Sequence, residues 1–158
     1  MRETLISVSV EPTWATVRSI RKRTGELLDE HPAELRMAAM LTASELLENA
    51  IKYGESIAQA PQIVFALTRE GGVLQIGTRS GSTGGKRVEQ LCTVVERLAT
   101  AVDAEALYLA RIREVSMAPG DETENGIGLY RIAVEGRFTL SCRYEDCVVH
   151  VLASRSVE

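Results

Sequence analysis

Apolar positions change period several times along this chain. Leu5 to Val10 alternates apolar residues with serine, as a half-buried strand does, and Glu11-Pro12-Thr13 breaks the pattern. Trp14, Val17, Ile20, Leu27 and Leu28 then recur near helical spacing. They predict a helix through about Asp29, with Pro12 in its first turn and Trp14 on its core side. His31-Pro32 ends it, because the residue before a proline is pushed out of the helical region. From Ala33 to about Ser56 runs an alanine- and leucine-rich segment whose one internal glycine is Gly54, which predicts a long second helix.

After Pro61 the period falls to two. Gln62 to Arg69 and Gly72 to Arg79 read as strands joined across Glu70-Gly71, an antiparallel hairpin. SGSTGG, residues 80–85, reads as a glycine loop. Val88, Leu91, Val94, Val95 and Leu98 fall on one side of an amphipathic helix from Arg87 to Ala101, and a further helical stretch covers Ala104 to about Val115. A polar segment, residues 117–125, precedes GIGLYRIAVEG, which opens with glycines and continues as a helix to about Gly136. Arg137 to Tyr144 and Cys147 to Ser154 form a second hairpin turned by Glu145-Asp146. Helices gathered between antiparallel hairpins predict an α+β fold. The expected form is a two-layer α/β sandwich, its sheet mixed but mostly antiparallel, with helices on one face.

With 158 residues, no repeats and no long linker, the chain reads as a single domain over 1–158. Apolar residues make up 45%, charged residues 25%, and the net charge is -4, the profile of an ordinary soluble globular protein. The acidic balance disfavours a nucleic-acid partner, and the basic run Arg18, Arg21, Lys22, Arg23 reads as a solvated helix face. Cys92, Cys142 and Cys147 lack CxxC or histidine-partnered spacing and lie in apolar segments, so they read as reduced core thiols of a cytoplasmic protein. His31 and His150 have no ligand pattern around them. The opening MRETLISVSVEPTW lacks the features of a signal peptide, and no apolar run is long enough for a membrane span.

Two stretches carry chemistry. In ELLENAIKYG, residues 45–54, Glu45, Asn49, Lys52 and Tyr53 share one helix edge while Leu46, Leu47, Ala50 and Ile51 supply apolar neighbours. A carboxylate beside an amide oxygen suits a hydrated Mg2+, and a lysine one turn on suits a phosphate. The same residues also read as a solvated face with a Glu48 to Lys52 ion pair. In NGIGLYRI, residues 125–132, Gly126 and Gly128 bare the backbone before a helix, either to receive an anion or to make a tight junction. The preceding polar segment is placed where a lid would lie.

ELLENAIKYG followed by a hairpin, a glycine loop and GIGLYRI resembles the GHKL ATPase fold of DNA gyrase, histidine kinases and MutL, in particular its small anti-sigma-factor serine-kinase branch. The resemblance covers nearly the whole chain in element order. It implies that Glu45 is the acid that orients or deprotonates the attacking group and that Asn49 is the Mg2+ ligand. It further implies that Lys52 contacts phosphate and that Gly126 and Gly128 cradle it. ATP and Mg2+ are the cofactors so implied. The implied partner is a protein, a STAS-domain regulator or a sigma factor, or a second copy of the chain.

The family's first glycine box carries an aspartate that accepts a hydrogen bond from adenine. The corresponding stretch, IGTRSGSTGG at residues 76–85, has none, and Thr78 or Ser80 offers only a neutral hydroxyl. The exchange costs about 1.5 to 3 kcal/mol of nucleotide binding. In this respect the chain is similar to a branch with a degenerate first box. Two activities are thus expected in competition: a Mg2+-ATP-dependent serine kinase or partner switch, and a catalytically inactive module of the same shape that binds protein.

Overall fold

The structure, a computed structural model, describes residues 1–117 and 126–157. The elements are β1 (Arg2–Val10), α1 (Trp14–Leu27), α2 (Ala33–Tyr53), β2 (Ile63–Glu70), β3 (Val73–Gly81), α3 (Lys86–Thr100), α4 (Ala104–Met117), α5 (Gly128–Val134), β4 (Thr139–Glu145) and β5 (Val148–Ser156). The five strands form one sheet in the order β1-β2-β3-β5-β4.

The fold is α+β, a two-layer sandwich. Its sheet is antiparallel at every pairing rather than mixed. The connections explain this: β2–β3 and β4–β5 are hairpins, and two helices between β1 and β2 carry the chain down and back. A parallel neighbour would have needed a single crossover. Pleating sends alternate residues to opposite faces. On the inner face, Ile6, Leu67, Ile76, Ala153 and Leu140 form one cross-strand row and are all buried. Leu28, Leu46, Leu47 and Ile132 from α2, α5 and the end of α1 join them in the same core, each no more than 1% exposed. Burying an aliphatic side chain of that size contributes about 1.5–3 kcal/mol, so the α2 face that holds Leu46 and Leu47 is fixed firmly on the sheet.

Several element ends differ from the sequence reading. Thr13 caps α1, its hydroxyl accepting from Thr16 N at 3.2 Å, so the helix starts after Pro12. Trp14 is 50% exposed and is not a core residue; spacing aligns it with Val17, but the first turn lies past the edge of the core. α2 stops at Tyr53 because Gly54 takes an extended conformation, and a Cβ at that position would run into Ala50 O. Both hairpins turn one residue later than expected. Gly71 and Gly72 have φ of 56° and 76°, and Asp146 and Cys147 have 52° and 63°. Positive φ at two central residues is what a tight hairpin turn of the right twist requires. β3 extends through Gly81, so Ser80 and Gly81 are buried strand residues and not loop, while Thr78 is buried within the expected strand. The proposed lid, past Met117, lies outside the described residues. Arg18, Arg21, Lys22 and Arg23 are exposed along α1, as a solvated face should be. Among the described residues no helix is long and apolar enough to cross a membrane.

Candidate functional site

α2 sets out the first half of the site. Leu46, Leu47 and Ala50 point into the core, so the helix rotation places Glu45, Glu48 and Asn49 at its half-buried margin and Lys52 in solvent. The second half arrives from more than 80 residues downstream. α5 packs on α2 with Ile132 fully buried, and its first residue, Gly128, is buried directly against Glu45. A Cβ at Gly128 would overlap Glu45 Oε2, so a larger residue there would push the carboxylate aside. One turn later Arg131 Nη1 donates to Glu45 Oε1 at 3.4 Å.

The electrostatics of Glu45 follow. Its side chain is 15% exposed. Burial, and next the neighbouring Glu48, push its carboxyl above the ordinary carboxylate value, while Arg131 and Lys52 pull the other way. A carboxyl raised toward neutrality is better matched to taking a proton than an ordinary glutamate. Arg131 also lies 3.5 Å from Glu135 Oε2, and Tyr108 of α4 donates to that same oxygen at 2.6 Å. Burial, then that bond, raise the Tyr108 phenol. Tyr108 and Tyr130 stack at 6.5 Å. The result is a chain, Glu45–Arg131–Glu135–Tyr108, joining α2, α5 and α4.

Gly126 makes a similar close approach: a Cβ there would strike the Arg111 guanidinium. Arg111 donates to Glu114 at 2.9 Å across one turn of α4. The bare backbone at both glycines therefore receives side chains of this protein, a carboxylate at one and a guanidinium at the other.

The structure brings Glu45, Gly128 and Arg131 into contact and sets Gly126 next to Arg111. Asn49 stands one turn along α2 from Glu45, and the Lys52 charge reaches Glu45. Thr78 is on β3, 6% exposed, in the inner-face row with Phe65 and Val151. Among the described residues no group of three or more histidine, cysteine, aspartate or glutamate side chains converges on a metal-sized point. A hydrated Mg2+ held by one amide oxygen would not need such a group.

The glycine loop after β3 is fastened on both sides. Glu55 accepts from Thr83 N at 2.6 Å and from Thr83 Oγ1 at 3.3 Å, while Tyr144 donates to Ser82 O at 2.9 Å. Arg87 at the start of α3 lies 5.3 Å over the Tyr53 ring at the end of α2. Open pockets elsewhere among the described residues include two. One, of about 320 Å³, is lined by Leu98, Ala104, Ala133, Phe138 and Leu140. The other, of about 420 Å³, runs between α1 and α2 past Arg18, Arg21, Gly25, Arg36 and Met40.

Sequence reasoning missed Arg131, Arg111, Tyr108 and Glu55 as members of this neighbourhood. Arg131 and Glu135 were readable as an i, i+4 pair one turn after Gly128. Arg111 and Tyr108 carry no local signal, since their contacts to Gly126 and Glu135 are tertiary. No protein-family model matches the chain, and no curated protein matches it either.

Proposed function

We propose that this is a regulatory nucleotide-binding domain of the GHKL, histidine-kinase-like ATPase type, acting on a protein partner. One observation carries the reading: the acid of α2 and the bare backbone at the start of α5, two motifs far apart in sequence, are in contact at Gly128 and Glu45. In this reading Mg2+-ATP, when bound, supplies the phosphoryl group. Asn49 holds the metal, Lys52 meets phosphate charge, and Thr78, a buried hydroxyl on β3, is the candidate adenine-side acceptor. Arg111 and Arg131 add cations beside Gly126 and Gly128, which suits a polyphosphate. Glu45, with its raised carboxyl, orients or deprotonates a serine hydroxyl of a STAS-like regulator once Arg131 releases it. Positioning and charge neutralisation are most of what such a transfer asks of a protein.

A second reading has its own support. The Arg131 contact pairs Glu45 with a cation, the guanidinium of Arg111 fills the space beside Gly126, and residues 76–85 contain no aspartate. These favour a module of the same shape that binds a sigma factor or STAS-type partner without catalysis. Calorimetric titration with Mg2+-ATP separates the two. The nucleotide-binding reading expects measurable heat, weakened on the order of ten- to a hundredfold by the missing carboxylate, and loss of the Mg2+ dependence in Asn49→Ala. No heat at millimolar nucleotide, in a sample shown to be folded, leaves the binding module.

A further inference from the structure

We infer that Cys92 and Cys142 form a reversible intramolecular disulfide that fastens α3 to β4. The two sulfurs are 3.0 Å apart although the residues are 50 positions apart in sequence. Closing to a bond length of ~2.05 Å asks for a relative movement of only about 1 Å, within reach of small side-chain rotations. Both thiols are half-buried rather than sealed in the core, so a small oxidant can reach them. The position also has a structural consequence. Upstream of α3, Ser82 is already tied to the β4–β5 hairpin by the Tyr144 hydroxyl and by its own N–H to Cys147 O at 2.9 Å. A bond at Cys92, two turns into α3, would add a second tie to the same hairpin. The loop 82–85 and the first half of α3 would then be held to β4 at both ends.

The chemistry is thiol–disulfide exchange with a low-molecular-weight disulfide. Cys92, as thiolate, attacks one sulfur of the oxidant and expels the other half as a thiol, giving a mixed disulfide. Cys142 then loses its proton, attacks Cys92 Sγ and expels the second thiol. Two protein thiols give up two electrons and two protons, and one oxidant disulfide becomes two thiols. Burial, and then the neighbouring Cys92, raise the Cys142 thiol, which fits its acting second, against a sulfur already in place. Cys147, also free, takes no part.

The inference is independent of the nucleotide reading. Its test uses the intact chain in glutathione disulfide, followed by alkylation of remaining thiols, mass analysis and peptide mapping. The expected result is one alkylated cysteine, Cys147, a Cys92–Cys142 cross-linked peptide, and a Tm raised by roughly 10 °C that dithiothreitol reverses. Cys142→Ser should stop at one glutathione on Cys92, and Cys147→Ser should bridge as the wild type does. Three alkylated cysteines, a bridge through Cys147, or a bridged protein with unchanged Tm would each overturn the inference.

Discussion

Gly128→Ala tests the contact on which the site is built. A methyl at this buried position overlaps Glu45 Oε2 and stands 3.2 Å from its Cδ, so the carboxylate must turn away. Leaving its rotamer well costs about 0.5–1.5 kcal/mol. It also forfeits the 3.4 Å contact to Arg131, worth about 0.2–1 kcal/mol for an arginine that is 47% exposed. Against these, alanine gains up to about 1 kcal/mol over glycine in a helix. The net is a loss of about 1 kcal/mol, read as a Tm fall of roughly 2–4 °C.

The sign depends on Glu45, and that makes the reasoning checkable. In Glu45→Ala the overlapping atoms are gone and the nearest remaining atom, the Glu45 Cβ, is at an ordinary 3.7 Å. There Gly128→Ala should stabilise, by about 0.4–1 kcal/mol through the unfolded state. Urea denaturation of the wild type, both single variants and the double variant yields the coupling energy, expected near 2 kcal/mol. An equal loss from Gly128→Ala in both backgrounds would show that Glu45 and Gly128 do not touch.

Two further outcomes follow from the electrostatics and the capping contacts. Glu45 has a folded pKa raised above the unfolded one, so the native state holds the extra proton and stability falls as pH rises from 4.5 through the folded value. Glu45→Gln should therefore be more stable than wild type at neutral pH, with the advantage vanishing below that window in denaturation series from about pH 4 to about pH 8. Arg155→Met removes the 2.8 Å bond to Gly136 O, with a loss of about 1.5–3 kcal/mol measurable by chemical denaturation. Because the bond to Arg155 holds Glu34 below its ordinary value, part of the wild type's advantage should fade as the medium becomes acidic enough to protonate Glu34.

Much of the fold was legible because the signals were local. The Ala/Leu pattern of α2, the period-two runs of β2, β3, β4 and β5, and the amphipathic face of α3 each lie within one element. The hairpin turns were placed one residue early because Glu70-Gly71 carries an ordinary turn signal, whereas the conformation that closes Asp146-Cys147 is written in no common dipeptide. Trp14 followed the helical spacing onto the wrong side of the boundary, since spacing gives direction but not where the core ends. The site was half legible. Glu45 and Gly128 announced themselves by motif, but Arg131 meets Glu45 across 86 residues and Cys92 meets Cys142 across 50. No windowed pattern contains either pair.

Glu45 is where the consistency between sequence pattern and stability breaks. The buried side chains of α2 are apolar or, like Thr42, return their hydroxyl to the helix, here to Ala38 O at 2.8 Å, and Glu45 lies at the margin of that face. The glutamate instead sits half-sealed between Gly128 and Arg131, and the net of burial and charge still raises its pKa above the ordinary carboxylate value. An acid retained only for packing would be better served by glutamine or methionine of similar volume. The carboxylate thus costs stability at neutral pH that its partner offsets only in part, a pattern found where a group is kept for chemistry or for recognition. The kinase reading needs that group free to act, whereas the binding-module reading leaves it paired. They part on whether Arg131 is its permanent counter-ion or one that yields to a ligand, which is why nucleotide titration, and not a stability measurement, decides between them.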